Sequence, residues 1–295
     1  MSKIEVTSPF DGRVVGTVPY GSVKEVQTAL DLAQATFLDH KNALPTYKRV
    51  EILENVVKIM SSQIDELTKL CASEGGKPWV DSQVEVHRAI NGVKLAIEAL
   101  GTREGKQIAM GHTASSANRM AYTFKEPIGV VAAISAFNHP LNLAIHQVIP
   151  AIAVGCSVII KPATQTPMSA IRLVEILEEA GLPKGWAQAV VCDREGGELL
   201  ATSAKVNALT FIGSGKVGWY LNSKVAPGTR VALEHGGVAP VIVEADANID
   251  ELIPSIGKGG FYHAGQVCVS VQRVFVHESI VDEVATKLAD YASKL

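Results

Sequence analysis

Residues 129–181 read GVVAAISAFNHPLNLAIHQVIPAIAVGCSVIIKPATQTPMSAIRLVEILEEAG. GVVAAIS and SVIIK are short, branched and apolar, and each is followed by a longer amphipathic run, LNLAIHQVIPAIAVG and MSAIRLVEILEEAG. Strand-like runs alternating with helical ones predict consecutive βα units, hence an α/β fold whose mostly parallel sheet carries helices on both faces. The alternation continues through AQAVV, GGELLATS, ALTFI, GKVGWYLNSKV and RVALE. In such folds ligands collect beyond the carboxyl ends of the strands, so the residues there are the candidates for chemistry.

Upstream, the apolar spacing of Val23–Glu74, as in YKRVEILENVVKIMSSQIDELTKL, and of Glu85–Leu100 predicts amphipathic helices. Between them and the alternating region, GKQIAMGHTASSANRMAYTFKE at 105–126 is polar and small-residue-rich and predicts two short strands joined by a turn, a projecting hairpin.

Composition narrows the class. A chain of 295 residues, 47% hydrophobic, can bury a large core and form two domains or one large one with an insertion. With 27 Lys plus Arg against 30 Asp plus Glu there is no basic field to gather nucleic acid or an anionic membrane. No window reaches the roughly 18 unbroken apolar residues of a membrane span, and the start, MSKIEVTSPFDG, lacks an apolar signal core. Cys71, Cys156, Cys192 and Cys268 are widely spaced without a CxxC pair, which suggests neither a disulfide framework nor a metal site and fits a reducing cytoplasm.

Several strand ends carry chemistry-bearing residues. GSGKVG, Gly213–Gly218, follows ALTFI and precedes a helical pattern, so free N–H groups at the helix start could cradle a phosphate; a simple tight turn is the alternative. Generic dinucleotide-fold spacing would then give Glu234 to an adenosine ribose. Lys161 closes SVIIK before Pro162, where it could reach a ribose or phosphate or simply be solvated. Asn138 precedes Pro140 and could donate to an oxyanion or cap the next helix. Cys268 sits in FYHAGQVCVS among small and polar residues, unlike an inert core thiol.

In this order the segments SPFDGRVVGTV, AFNHP, VIIKPATQTP, FIGSGKVG, LEHGG and YHAGQVCVSVQR resemble the aldehyde dehydrogenase superfamily along the whole chain. The resemblance implies Cys268 as the nucleophile that attacks an aldehyde, Asn138 as the oxyanion donor and Glu234 as the general base that activates the hydrolytic water, overriding the ribose assignment. It implies NAD, or NADP, held by Lys161, Gly213, Ser214, Thr164, Ala136 and Phe137, and no metal. It also implies a small aldehyde as substrate and a homodimer or homotetramer joined through the hairpin. The corresponding division is 1–104 and 125–234 for the cofactor domain, 105–124 for the oligomerisation hairpin, and 235–295 for the start of an incomplete catalytic domain.

Departures from the family pattern bear on specificity. Phe137 and His139 flank Asn138 where other residues are usual, and His235 and His263 replace a leucine and an asparagine. Thr164 stands where many NAD-using members carry a glutamate that repels the NADP phosphate. Val267 is apolar where the branch acting on phosphorylated glyceraldehyde has arginine. His139 and Arg88, the latter in EVHRAI, are candidate contacts for a polar substrate tail, against a packed histidine and a surface pair between Arg88 and Glu85. Competing readings are a thiol hydrolase, a coenzyme A-acylating relative and a noncatalytic fragment; family members continue well beyond this length.

Overall fold

The computed structural model describes residues 2–295. The chain opens with an antiparallel pair that the apolar spacing did not announce, β1 (Ser2–Thr7) and β2 (Val14–Tyr20). Four helices follow, α1 (Val23–Leu38), α2 (Thr46–Ser62), α3 (Ile64–Gly75) and α4 (Trp79–Gly101). Ser22 and Glu25 form a reciprocal capping box at the start of α1, fixing where the helix begins. A two-stranded ribbon, β3 (Gln107–Ile108) with β4 (Ala121–Tyr122), then projects with Met120, Tyr122 and Phe124 exposed.

The central unit is β5 (Val130–Ile134), α5 (Pro140–Val154), β6 (Ser157–Lys161), α6 (Met168–Glu179), β7 (Ala187–Ala189), α7 (Arg194–Thr202), β8 (Val206–Gly213), α8 (Gly215–Asn222) and β9 (Arg230–His235). Its five strands are all parallel in the order β7-β6-β5-β8-β9. Every residue of β5 is buried, as a strand covered on both faces must be. Its side chains alternate: Val131 and Ala133 join the core beneath α2 to α6, whereas Val130, Ala132 and Ile134 join the core beneath α1 and α7. The order reverses between β5 and β8, the switch point beyond which ligands of such sheets collect.

The rest comprises β10 (Val241–Val243) paired in parallel with β11 (Val274–Val276), and the helices α9 (Ile249–Phe261) and α10 (Val281–Ala292).

Buried charges hold the helices on the sheet. Glu85 of α4 accepts from Leu141 N (2.9 Å) and Asn142 N (3.0 Å) at the start of α5, while Arg49 of α2 donates through Nε to Ala153 O (2.8 Å) at its end. Anion at the N-terminus and cation at the C-terminus both complement the helix dipole. At the start of α6 the buried Glu74 side chain accepts from Met168 N (2.7 Å) and Ser169 N (2.9 Å). Gly155 ends α5 at φ +92°, a left-handed position that suits glycine.

Among the described residues, no group of three or more His, Cys, Asp or Glu side chains is gathered so as to hold a metal ion, and no helix is long and apolar enough to cross a membrane.

Candidate active site

Three loops meet where β5, β6, β8 and β9 end. The segment from Ser135 to His139 leaves β5 and is pinned on the β6 side: Ser135 N donates to Lys161 O (3.0 Å), and Thr166 Oγ1 donates to Phe137 O (3.2 Å). Asn138 does not cap α5; His139 occupies the cap position and makes no side-chain cap bond. Instead Asn138 Nδ2 donates to Gln266 O at 2.8 Å, two residues before Cys268. A carbonyl can only accept, so the amide nitrogen must be the atom facing it. That nitrogen carries two hydrogens, and one remains for another acceptor.

The cysteine loop is built by strain and by ties to α9. His263 and Ala264 adopt left-handed backbone at φ +49° and +54°, costing about 1–3 kcal/mol each. Val271 N donates to Gly259 O (2.9 Å) and buried Ser270 Oγ to Gly260 O (3.3 Å), which turns the intervening Cys268 outward. Cys268 is exposed, whereas Cys71, Cys156 and Cys192 are buried. Burial pushes the Cys71 thiol well above the ordinary cysteine value, and its Sγ lies 3.5 Å from Ser169 Oγ within the core. Cys71 is thus a protonated packing residue beyond the reach of substrate.

Glu234 projects from β9 opposite Ile212 and is exposed, one register step before the Gly213–His235 pair. The segment after it approaches the cysteine loop: Gln272 Nε2 donates to Gly237 O (3.0 Å), and a Cβ on Gly237 would lie 3.5 Å from Cys268 O. The neighbouring His235 turns the other way and packs edge-on against Phe211 and Trp219 at 6.2 and 5.8 Å. Only glycine fits at 218, because a Cβ there would come within 2.3 Å of His235 Nε2.

On the β6 side, Lys161 lies largely buried with its methylenes against Gly197, where an added Cβ would approach them to 3.1 Å. Its Nζ donates to Pro162 O (3.3 Å), and burial lowers its pKa. Thr164 stands in the next turn, half-buried. Ser214 caps α8 by accepting from Val217 N, beside Gly213. A partly free ammonium and an uncovered helix start are the donors that ribose hydroxyls and a pyrophosphate require, so these residues fit a dinucleotide.

Arg88 is exposed on α4 and makes no ion pair with Glu85, in contrast to the surface pair considered above; Glu85 is buried and bound to Lys77 Nζ at 2.8 Å. Burial first, and the nearby Arg88 charge after it, lowers the pKa of His146, and Arg88 adds a smaller effect at His139. His139 is only 7% exposed and is packed, its ring stacked on Tyr262 (6.1 Å, 20° between planes) and edge-on to His263 (6.1 Å). Burial foremost, then the Lys77 charge, depresses His139 to about 3 and His263 to about 4.

These neutral imidazoles stabilise the fold fully above the unfolded histidine value of 6.5 and progressively less as pH falls toward 4. Glu74, raised to about 7 chiefly by burial, acts oppositely: its contribution is complete below about 4.5 and is lost as pH rises through 7. Urea melts between pH 5 and 7 should show stability rising more steeply with pH in the native protein than in His139→Gln, by up to about 1.4 kcal/mol per pH unit. Equal slopes would show that His139 binds its proton as readily in the fold as in the unfolded chain.

Lys77, Glu85 and Tyr262 were missed in the sequence. Lys77, in the corner between α3 and α4, and Glu85, on α4, are ordinary surface residue types, and only the start of α5 packed over them reveals that they are inside. A glycine pair before Lys77 and a proline after it mark a tight corner, and were the one available signal.

A model of the aldehyde dehydrogenase family matches residues 1–295. The 3-sulfolactaldehyde dehydrogenase of Priestia aryabhattai is 37% identical over 294 residues, covering 99% of this chain and 61% of that protein. The NADP(+) succinate-semialdehyde dehydrogenase of Escherichia coli is 35% identical over 298 residues, covering 99% and 60%. The glyceraldehyde-3-phosphate dehydrogenase of Methanocaldococcus jannaschii, solved as a complex with NADP, superposes with a TM-score of 0.92 at 36% identity, over 99% of this chain and 63% of that one. This chain therefore spans less than two thirds of the length of these relatives. The parallel sheet with its switch point, the asparagine loop bonded to the cysteine loop and the match over residues 1–295 agree: the chain belongs to the aldehyde dehydrogenase family.

Proposed function

We propose that the whole protein containing this chain oxidises a short polar aldehyde to its carboxylic acid, with NAD or NADP, through a thioester on Cys268. The observation that carries this reading is the 2.8 Å bond from Asn138 Nδ2 to Gln266 O, which joins an amide donor at one strand end to the loop of the single exposed cysteine.

Cys268 Sγ, as thiolate, adds to the aldehyde carbon, and the carbonyl oxygen becomes an alkoxide. The free hydrogen of Asn138 Nδ2 and the Cys268 backbone N–H stabilise that charge as it develops. When bound, the dinucleotide supplies the hydride acceptor. Loss of hydride from the adduct leaves an acyl group on Cys268. Glu234 then takes a proton from water, the oxygen adds to the acyl carbon, and the C–S bond breaks to release the acid and the thiolate. An exposed carboxylate three residues before Gly237, which approaches the cysteine loop, favours water, over coenzyme A, as the final acceptor.

Lys161, Ala136, Phe137, Thr164, Gly213 and Ser214 would hold the dinucleotide, and Thr164 leaves room and charge neutrality for the additional phosphate of NADP. Arg88, exposed on α4 and near enough to His139 to act on it electrostatically, would attract a hydroxylated or anionic tail. The relatives named above act, by their names, on sulfolactaldehyde, succinate semialdehyde and glyceraldehyde 3-phosphate, all compact and polar. The test is a side-by-side assay of lactaldehyde, succinic semialdehyde, phosphonoacetaldehyde and hexanal with each dinucleotide. The polar aldehydes should exceed hexanal by at least about tenfold in kcat/KM, roughly 1.4 kcal/mol of discrimination, and Arg88→Ala should reduce that margin. Preference for hexanal would refute polar-tail recognition.

The same reading assigns 1–104 and 125–234 to cofactor binding, 105–124 to oligomerisation and 235–295 to the start of the catalytic domain, in a cytoplasmic enzyme. The apolar side chains exposed on the β3–β4 ribbon suit strand addition to a second copy. Sedimentation of the whole protein at micromolar concentration should give a dimer or tetramer; monomer alone would contradict it.

A further inference from the structure

The Lys77–Glu85 pair lies directly beneath the site, with side chains 1% and 0% exposed. Nothing in the chemistry above uses it, and hydrophobic residues of similar volume would often be as stable there. Its contacts are specific. Glu85 Oε1 accepts from Leu141 N and Asn142 N, in the first turn of α5 immediately after Asn138-His139-Pro140, while Oε2 accepts from Lys77 Nζ. The same Nζ sits 5.9 Å from the centroid of the Tyr262 ring. Tyr262 begins the strained turn that leads to Cys268, and its ring also stacks on His139.

The pair therefore has one hand on each loop. On one side, a carboxylate fixes the start of α5 and with it the position of Asn138. On the other, an ammonium faces the ring that opens the cysteine loop, a cation–π contact strengthened by exclusion of water. We propose that Lys77 and Glu85 are positioning residues that couple the asparagine loop to the cysteine loop, so that Asn138 and Cys268 keep one mutual placement. The catalytic consequence rests on the aldehyde-oxidising reading; the coupling itself does not. The buried histidines fit the arrangement, since neutral rings can pack beside a lysine where imidazolium could not.

Hydrogen–deuterium exchange of the whole protein tests the coupling without turnover. In Lys77→Met, amide exchange should accelerate by at least about tenfold in both 136–142 and 262–270, with β1 and β2 unchanged. Acceleration in only one loop, or in neither, overturns the proposal. Tyr262→Leu leaves the ion pair in place and serves if Lys77→Met does not fold: exchange should again rise in both loops, and an unchanged 136–142 segment would count against coupling. In turnover, Lys77→Met should lower kcat by at least about tenfold while aldehyde KM and dinucleotide Kd stay within about twofold, a split that general destabilisation would not give. An unchanged kcat overturns the positioning role. A native protein that oxidises no aldehyde refutes the function proposed above and leaves exchange to decide the coupling.

Discussion

Replacing Cys268 with alanine should lower aldehyde turnover by the whole protein at least about 10⁴-fold while leaving dinucleotide affinity nearly unchanged. The change removes only Sγ, and since the side chain is exposed no core contact is lost with it. The residues proposed to hold the dinucleotide stand at or just beyond the ends of β5, β6 and β8, and none of them bonds to that sulfur. Without a nucleophile no covalent adduct forms, and the remaining donors act on an aldehyde that cannot be acylated onto the protein. Cys71→Ala is the matched control. It removes a buried thiol from the core between α3 and α6, so it should cost stability and spare turnover. The assay is steady-state rate beside dinucleotide titration; substantial turnover by the Cys268 variant, or its loss in a folded Cys71 variant, would overturn the assignment.

Glu85→Ala should destabilise the fold by about 3–5 kcal/mol, among the largest losses available from one side chain. Two effects add. The N–H groups of Leu141 and Asn142 lose their acceptor at a buried helix start, and the Lys77 ammonium is left inside without its counter-charge. Glu85→Gln separates them: a glutamine oxygen can still accept from α5, so only the uncompensated lysine remains and the loss should be smaller. Urea midpoints of the two variants decide the matter. A loss below about 1 kcal/mol for Glu85→Ala would mean that water enters the site and the pair is not sequestered.

The alternation of short branched runs and amphipathic runs made the central sheet legible, because a strand covered on both faces is dominated by apolar residues, as VVAAI and the VII of β6 are. The β3–β4 ribbon was legible for the opposite reason, an interruption of polar and small residues between helical and strand-like text. The β1–β2 pair was not, since its exposed polar face hides two short strands among turn residues. At the site, Asn138, Cys268 and Glu234 stood out by their positions after apolar runs and beside glycines. The bond from Asn138 to the cysteine loop could not be read, because it depends on how the turn at His263 and Ala264 carries Gln266 back to a residue 128 positions earlier. Nor could Glu85 be distinguished from a solvated helix carboxylate: helical periodicity places it on a face, but only the packing of α4 on α5 shows that this face is covered. Buried ion pairs are built from the residue types that periodicity assigns to water, and so they are the feature that sequence patterns conceal most readily.

The most direct test of covalent aldehyde oxidation is mass spectrometry of the whole protein carrying Glu234→Gln, mixed with a polar aldehyde such as lactaldehyde and either dinucleotide, then quenched in acid and digested. Hydrolysis requires a base while acylation does not, so the intermediate should accumulate as an acyl adduct on the peptide containing Cys268, with reduced dinucleotide formed in matching amount. Acid released at the native rate with no adduct, or an adduct on Cys71, Cys156 or Cys192 in place of Cys268, would contradict it.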